Sequence, residues 1–436
     1  MSPTRSTNLA TARLLRYKPG VDRRQDRASM IFRPCPPPRV HTLRGAFFLM
    51  PILALLAPLG LAPLALLTAV LLLATTPRPW RWPPLHLTAL LMLTPLLAGL
   101  SAAWSQDPPL SLKAAGQIAA IAIAIVALSV GARSADCRPA AAAALAGVAT
   151  VLAVLVIDRL VGNKLIGLVH GMNFDAMAWE TFAQASTKRG TTVIAVLTWP
   201  LVAAFIASGR RTLAALALAL GGGCVLAGYS STAVVALLAG LPALALFQFA
   251  GRRAGWAASA VLALAVLAAP WAVRQLPPPQ RLWDAQPWIP NSAHHRLTIW
   301  RFTADRTAER PVLGWGMDAS RIMPGGDDAI KVGRIVDGRK WEMFEQMLPL
   351  HPHNAFLQWW LELGLAGAAA MTALAGALIA ATARLPVPRR GLVMAGLTSA
   401  LVCAASAFGA WQSWWLLSLG LAALLGAGRF EKDGAR

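Results

Sequence analysis

Charge is scarce in this chain: charged residues make up 14% of its 436 positions, whereas hydrophobic residues make up 56%. So few charges cannot cover a soluble protein of this length, and a mean hydropathy of +0.55 points the same way. Acidic residues are scarcer than basic ones, at 19 against 40, for a net charge of +21. In a soluble protein that excess would suggest nucleic acid as a partner. Here the Arg residues lie mostly between apolar runs and in the N-terminal stretch, which assigns them to membrane orientation and predicts no nucleic-acid partner. Cysteine is also sparse: Cys35 lies in the polar N-terminal stretch, Cys137 in a short loop, and Cys224 and Cys403 inside apolar runs. That scatter excludes a disulfide framework and a Cys-based metal site. The first apolar run follows a long Arg-rich stretch and lacks a small-residue cleavage site, so it reads as a retained span rather than a signal peptide.

Apolar runs long enough to cross about 30 Å of hydrocarbon recur through the rest of the chain. The expected fold is an all-α polytopic membrane protein with about 12 transmembrane helices, drawn at 45–60, 61–76, 85–104, 111–131, 139–158, 191–208, 212–228, 231–250, 254–273, 353–381, 390–408 and 411–427. Residues 45–76 admit one tilted span or two. Two are preferred because the loops then sort by charge with both termini cytoplasmic. The inside set holds Arg78, Arg81, Arg133, Arg138, Arg210, Arg211, Arg252, Arg253, Arg384, Arg389 and Arg390; the outside loops near 105, 229 and 409 are nearly free of Lys and Arg. The organisation read from this is a disordered basic tail at 1–44, spans at 45–273 with an outside loop at 159–190, a long outside loop at 274–352, spans at 353–427 and a cytoplasmic tail at 428–436.

The long outside loop carries mixed charge, several Trp residues and turn-rich stretches, so it reads as a small folded cap. Within it, residues 291–311 form an expected amphipathic helix along the membrane surface, with Asn291 or Ser292 as N-cap, Pro311 at its end, and Leu297, Trp300 and Ala304 on one face. After the loop comes HPHNAFLQWWLELGLAG, residues 351–367. Pro352 suits the first helical position, so His351 is expected as the cap, with His353 and Asn354 in the first turn. That helix end presents free N–H groups and a positive dipole end, which suit a phosphate and keep His353 neutral as a general base. The bland alternative leaves both histidines as capping groups in interfacial water.

Asn354, Gln358 and Glu362 recur every four residues and form a polar stripe, with Glu362 read mainly as a tie to neighbouring helices. Lys188 and Arg189 stand where the chain re-enters the membrane from outside, and Arg296 lies at the start of the loop helix. Arg forks match phosphate oxygens, although snorkelling to headgroups is the plainer reading for any one of them. His170, His294, His295, His351 and His353 fall in or beside the outside segments, but without helical metal-binding spacing or an outside Cys, so no metal site is expected.

His353-Asn354, nine residues, Gly364, two residues and Gly367 together resemble the H-[NSQ]-x9-G-x-x-[GTY] pattern of the bacterial O-antigen ligase family, within the O-antigen ligase and polymerase superfamily. PVLGWGMDASR, with Gly314, Trp315 and Gly316, resembles the Pro-x-x-Gly-x-Gly loop that leads to the family's His motif. The resemblance implies a GT-C-like, inverting glycosyltransferase of the bacterial inner membrane, with its active site facing the periplasm. Its donor would be a preassembled glycan on undecaprenyl diphosphate, and its acceptor the lipid A-core oligosaccharide or another glycan. No metal, ATP or other cofactor would be required.

By the same resemblance His353 would activate the acceptor hydroxyl, and Arg189 and Arg296 would hold the donor diphosphate. Lys188, Arg301 and Arg321 compete for the Arg roles, and His295, His351 and Asn354 stand as supporting residues. A polysaccharide polymerase using the same donor is the alternative within this chemistry. A secondary transporter using the polar stripe as an ion path is the alternative outside it; it predicts internal repeats and paired broken helices.

Overall fold

The computed structural model describes residues 38–174, 179–286, 291–336 and 339–428. The expected disorder of the N-terminal tail up to residue 37 and the cytoplasmic tail from 429 fall outside them. Helices occupy each of the drawn spans: α1 Pro38–Leu56, α2 Leu61–Thr75, α3 Leu85–Leu100, α4 Pro108–Ala132, α5 Arg138–Leu160, the short α6 Lys164–Val169, α7 Trp179–Ala207, α8 Arg211–Ala227, α9 Ser231–Phe249 and α10 Gly251–Gln275. Beyond them come α11 Pro279–Ala285, α12 Asn291–Glu309, α13 Ala355–Thr382, α14 Arg389–Ser406 and α15 Ser413–Ala427. Among the described residues, nine helices are long and apolar enough to cross a membrane. The chain is a multi-pass membrane protein.

Several starts differ from the sequence expectation. α1 begins at Pro38, so Arg39 and Arg44 lie in a helix rather than in the tail. The chain leaves the helix at Ala57 before α2, dividing 45–76 into two helices. α7 begins at Trp179, a dozen residues before the drawn span, so Lys188 and Arg189 stand within a helix and not in a loop.

Local chemistry explains the ends. Asp107 accepts the Leu110 N–H at 2.9 Å ahead of two prolines that open α4. Ser230 accepts the Ala233 N–H at 3.2 Å to start α9. The centre of the bundle is α7, whose Trp199 and Phe205 are fully buried. α1, α8, α9, α14 and α15 surround it. Small residues admit the close approaches: a Cβ on Gly190 would lie 2.6 Å from the Leu55 Cα.

Between α10 and α13 the chain builds a separate lobe. Its expected helix is present as α12, but the buried face holds His294, Ile299, Thr303, Ala304 and Thr307. Leu297 and Trp300 are only half-buried at its edge. The lobe also contains an antiparallel hairpin that the all-α expectation lacked, β1 Ala329–Val336 with β2 Arg339–Gln346, with Ala329 opposite Gln346 and Val336 opposite Arg339. His294 on α12 pairs with Glu345 on β2 at 3.1 Å, and Trp283 of α11 lies over the imidazole at 4.5 Å between centroids. Three elements are tied by that one buried histidine.

The lobe is keyed into α13 at a break. Gly364 has φ 60° and ψ −153°, so the helix loses its hydrogen-bond register there. The groups freed on the two sides of the break pair with the loop after α12. Trp315 and Gly316 donate to the Leu361 and Glu362 carbonyls at 2.9 Å each, while Leu365 donates to the Pro311 carbonyl at 2.9 Å. Backbone polar groups at membrane depth must find partners, and here a loop supplies them. Contact is too close for side chains: a Cβ at Gly314, whose φ is +70°, would lie 2.5 Å from the Glu362 carbonyl carbon. Gly314→Ala should therefore cost at least about 2 kcal/mol through strain and overpacking. Thermal unfolding of the purified variant should show a clearly lower midpoint, and an unchanged midpoint would contradict this keyed joint.

Candidate functional site

Asn354, not His351, caps α13: its side-chain oxygen accepts the Phe356 and Leu357 N–H groups at 3.0 and 3.2 Å. The helix starts at Ala355, and His353 stands just outside it with φ 55°. The correction has a simple cause: Asn satisfies two orphan donors at once and outcompetes a Pro-led start. His353 therefore projects from a left-handed turn whose backbone strain the surrounding contacts must hold.

Those contacts come from the turn between α14 and α15. His353 Nδ1 lies 2.7 Å from the Ala407 carbonyl. A carbonyl only accepts, so Nδ1 carries the proton and Nε2 keeps its lone pair. The His353 backbone N–H donates to His351 Nδ1 at 3.2 Å, and the two rings meet edge to face at 4.3 Å between centroids. With Nδ1 accepting, His351 Nε2 is the N–H. The Gln412 amide nitrogen lies 3.0 Å from it, and the Gln412 Oε1 is buried without a partner. Half a turn of that amide supplies the acceptor His351 needs and satisfies the oxygen as well. Above the turn, the Trp300 indole of α12 donates to the Pro352 carbonyl at 3.0 Å.

The polar stripe is structural. Glu362 is fully buried and accepts from Ser320 Oγ at 2.5 Å, Trp411 Nε1 at 2.7 Å, Gln358 Nε2 at 2.9 Å and the Asp318 N–H at 3.0 Å. Gln358 in turn accepts the Ala410 N–H at 2.8 Å. One carboxylate thus joins α13, the glycine loop and the α14–α15 turn that holds both histidines. Its donors were not visible as a group in the sequence, because Ser320 and Trp411 lie 42 and 49 residues away.

Cations converge on the histidine pair from three other elements. Burial, with opposition from the Ala407 bond, lowers the His353 pKa below its ordinary 6.5, and the charges of Arg296 and His295 lower it further. The His351 pKa is pushed down to about 3 by burial first, then by His353, Arg321 and Arg189. Both imidazoles are neutral near pH 7. Arg189, and not its neighbour Lys188, is among the charges acting on the pair.

The competing Arg candidates separate by their partners. Arg301 is committed to the Arg274 and Leu276 carbonyls and to Asp305. Arg321 is paired with Asp318 at 2.8 Å, and burial raises the Asp318 pKa against the opposing charges of Arg321 and Lys113. Among the described residues, Arg189 and Arg296 have no hydrogen-bonded or ion-paired partner, although Arg296 is buried enough for its own pKa to be lowered. His295 is anchored through Nε2 to the Gln346 carbonyl at 3.0 Å. Arg189 thus acts electrostatically on His351 and Arg296 on His353, and guanidinium groups without a partner among the described residues are chemically suited to an anion.

Residues 214–372 match the family model described as O-antigen ligase. This segment resembles the O-antigen ligase family. It contains Arg296, the glycine loop, His353 and Gly364, while Arg189 lies upstream of it. The chain is also similar to proteins named "Putative polysaccharide ligase" in Rickettsia. That of Rickettsia prowazekii is 33% identical over 141 residues, covering 32% of this chain and 33% of the relative. That of Rickettsia conorii is 33% identical over 130 residues, covering 29% of each. The alignments span about a third of the length of these relatives. For the ligase-family segment, Glu362→Gln replaces one accepting oxygen by a donor facing other donors. It should destabilise the fold by about 1–3 kcal/mol; a variant as stable as the parent would show that the four-donor network is not a structural tie.

Proposed function

We propose that the protein is an O-antigen ligase-like glycosyltransferase that moves a preassembled glycan from undecaprenyl diphosphate to an acceptor hydroxyl, that of the lipid A-core oligosaccharide, at the periplasmic face of the inner membrane. The observation that carries this reading is His353 Nε2, left as an acceptor by the 2.7 Å bond of Nδ1 to Ala407, in a histidine pair on which the charges of two uncompensated Arg side chains act, Arg296 on His353 and Arg189 on His351. The family match and the names of the relatives support the glycan-transfer class. The charge sorting of the loops supports the orientation, with a GT-C-like bundle of 12 spans under a periplasmic cap.

In this mechanism the diphosphate seats between Arg189 and Arg296, and the acceptor hydroxyl points at His353 Nε2. The hydroxyl oxygen attacks the anomeric carbon on the face opposite the diphosphate. Its proton passes to Nε2, the anomeric C–O bond to phosphate breaks, and undecaprenyl diphosphate leaves with the bonding pair. A single displacement inverts the anomeric centre. The guanidinium groups stabilise charge that builds on the leaving oxygen as the bond breaks, and they are held before reaction starts.

His353→Ala should lower glycan transfer by roughly a hundredfold or more while the protein still accumulates in the membrane; unchanged transfer by that variant removes the base. The pH dependence carries a sign. A base must be unprotonated, so activity falls as pH drops through the pKa of His353, and the acid limb should have its midpoint below 6.5. Arg296 is one of the charges that depress this pKa. In Arg296→Gln the limb should move to higher pH, and a limb that stays put or moves lower would place Arg296 away from the base.

A further inference from the structure

α7 carries Arg189 toward the histidine pair and continues for ten residues beyond it, to Trp179. Seven residues along an α-helix complete two turns to within about 20° and advance about 10 Å. Phe182 therefore stands above Arg189 on the same face. It is 63% exposed. Between them that face holds only Ala185 and Ser186, both half-buried and short, and the Ser186 hydroxyl turns back to the Phe182 carbonyl at 2.9 Å. A neighbouring face, roughly 100° round the helix, is closed, with Ala183, Thr187 and Gly190 buried against the bundle.

The level of Phe182 follows from charge. Lys188 and Arg189 mark one end of the apolar stretch of α7 and Arg210 and Arg211 the other, and all four are exposed. The intervening helix accounts for about 30 Å, the full hydrocarbon thickness, so Phe182 lies about 10 Å beyond it. A lipid diphosphate held at Arg189 has its polyprenyl chain on the membrane side and its glycan on the other. The exposed aromatic face is on the glycan side, along the same strip of helix. Pyranose rings present C–H groups of slight positive charge, which suit the negative face of an aromatic ring.

We propose that Phe182 is the stacking platform for a sugar ring one or two residues along the diphosphate-linked glycan, and so a specificity residue for the donor. This rests on the reading of Arg189 as a diphosphate ligand. It deepens that reading by naming where the glycan begins to be recognised. The test uses the full-length protein in nanodiscs and two probes: undecaprenyl diphosphate alone, and carrier-linked glycan extracted from the host membrane. The parent should bind the glycan-bearing probe about tenfold more tightly, a difference of about 1.4 kcal/mol. Phe182→Ala should abolish that advantage without changing the affinity for undecaprenyl diphosphate. Phe182→Trp should keep the advantage and Phe182→Leu should not, whereas Arg189→Ala should weaken both probes. An advantage that survives in Phe182→Ala, or an equal loss for both probes, overturns the platform. A parent protein that binds neither probe overturns the diphosphate reading itself, and the platform falls with it.

Discussion

The structure depends on a mismatch inside one helix. Gly364 breaks the hydrogen-bond ladder of α13, and the exposed carbonyls and N–H groups are satisfied by the backbone of residues 311–316 rather than by water. In a hydrocarbon surrounding, such a break is tolerated only where protein closes it. The closure needs glycine on both strands of the joint, since a Cβ at Gly314 or Gly364 would overlap the facing backbone. Glu362, two residues before the break, then collects donors from the glycine loop and from the turn before α15. The lobe, the membrane helix and the histidine turn are thereby fixed to one another, and the chemistry inherits its geometry from that joint.

From this follows the position of His353. It is held outside its helix by contacts on every side: Asn354 fixes the helix start, His351 takes its backbone N–H, and Ala407 takes its ring proton. A base needs a free lone pair in a fixed direction and a pKa low enough to stay unprotonated. Burial and nearby cations meet the second need. In the proposed mechanism the same cations serve the leaving diphosphate as well as the base.

Much of this was legible in the sequence, and the reasons differ by residue. Helix positions follow from apolar runs bounded by Arg, Gly and Pro, because length and hydropathy decide a span without reference to its neighbours. The four-residue recurrence of Asn354, Gln358 and Glu362 revealed a stripe facing protein, which the buried network bears out. The cap at Asn354 was misread because Pro352 offers an equally local reason to begin a helix, and only the competition between them decides. The hairpin was legible but overlooked: in IVDGRKW, Asp-Gly follows Ile335 and Val336 and stands three residues before Trp341, a two-residue hairpin signal. What could not be read were the tertiary partners, such as the Arg274 and Leu276 carbonyls that hold Arg301, whereas the Asp318–Arg321 and Asp305–Arg301 pairs lie at local spacing and were open to a sequence reading.

In the proposed mechanism Arg189 and Arg296 hold the diphosphate of a lipid-linked donor beside His353. An experimental structure with undecaprenyl diphosphate bound tests it most directly. Diphosphate density should be bridged by both guanidinium groups, with His353 Nε2 facing the adjoining space where the anomeric carbon and acceptor would lie. Diphosphate density elsewhere on the protein, or at these Arg residues with Nε2 turned away from it, would rule out this arrangement.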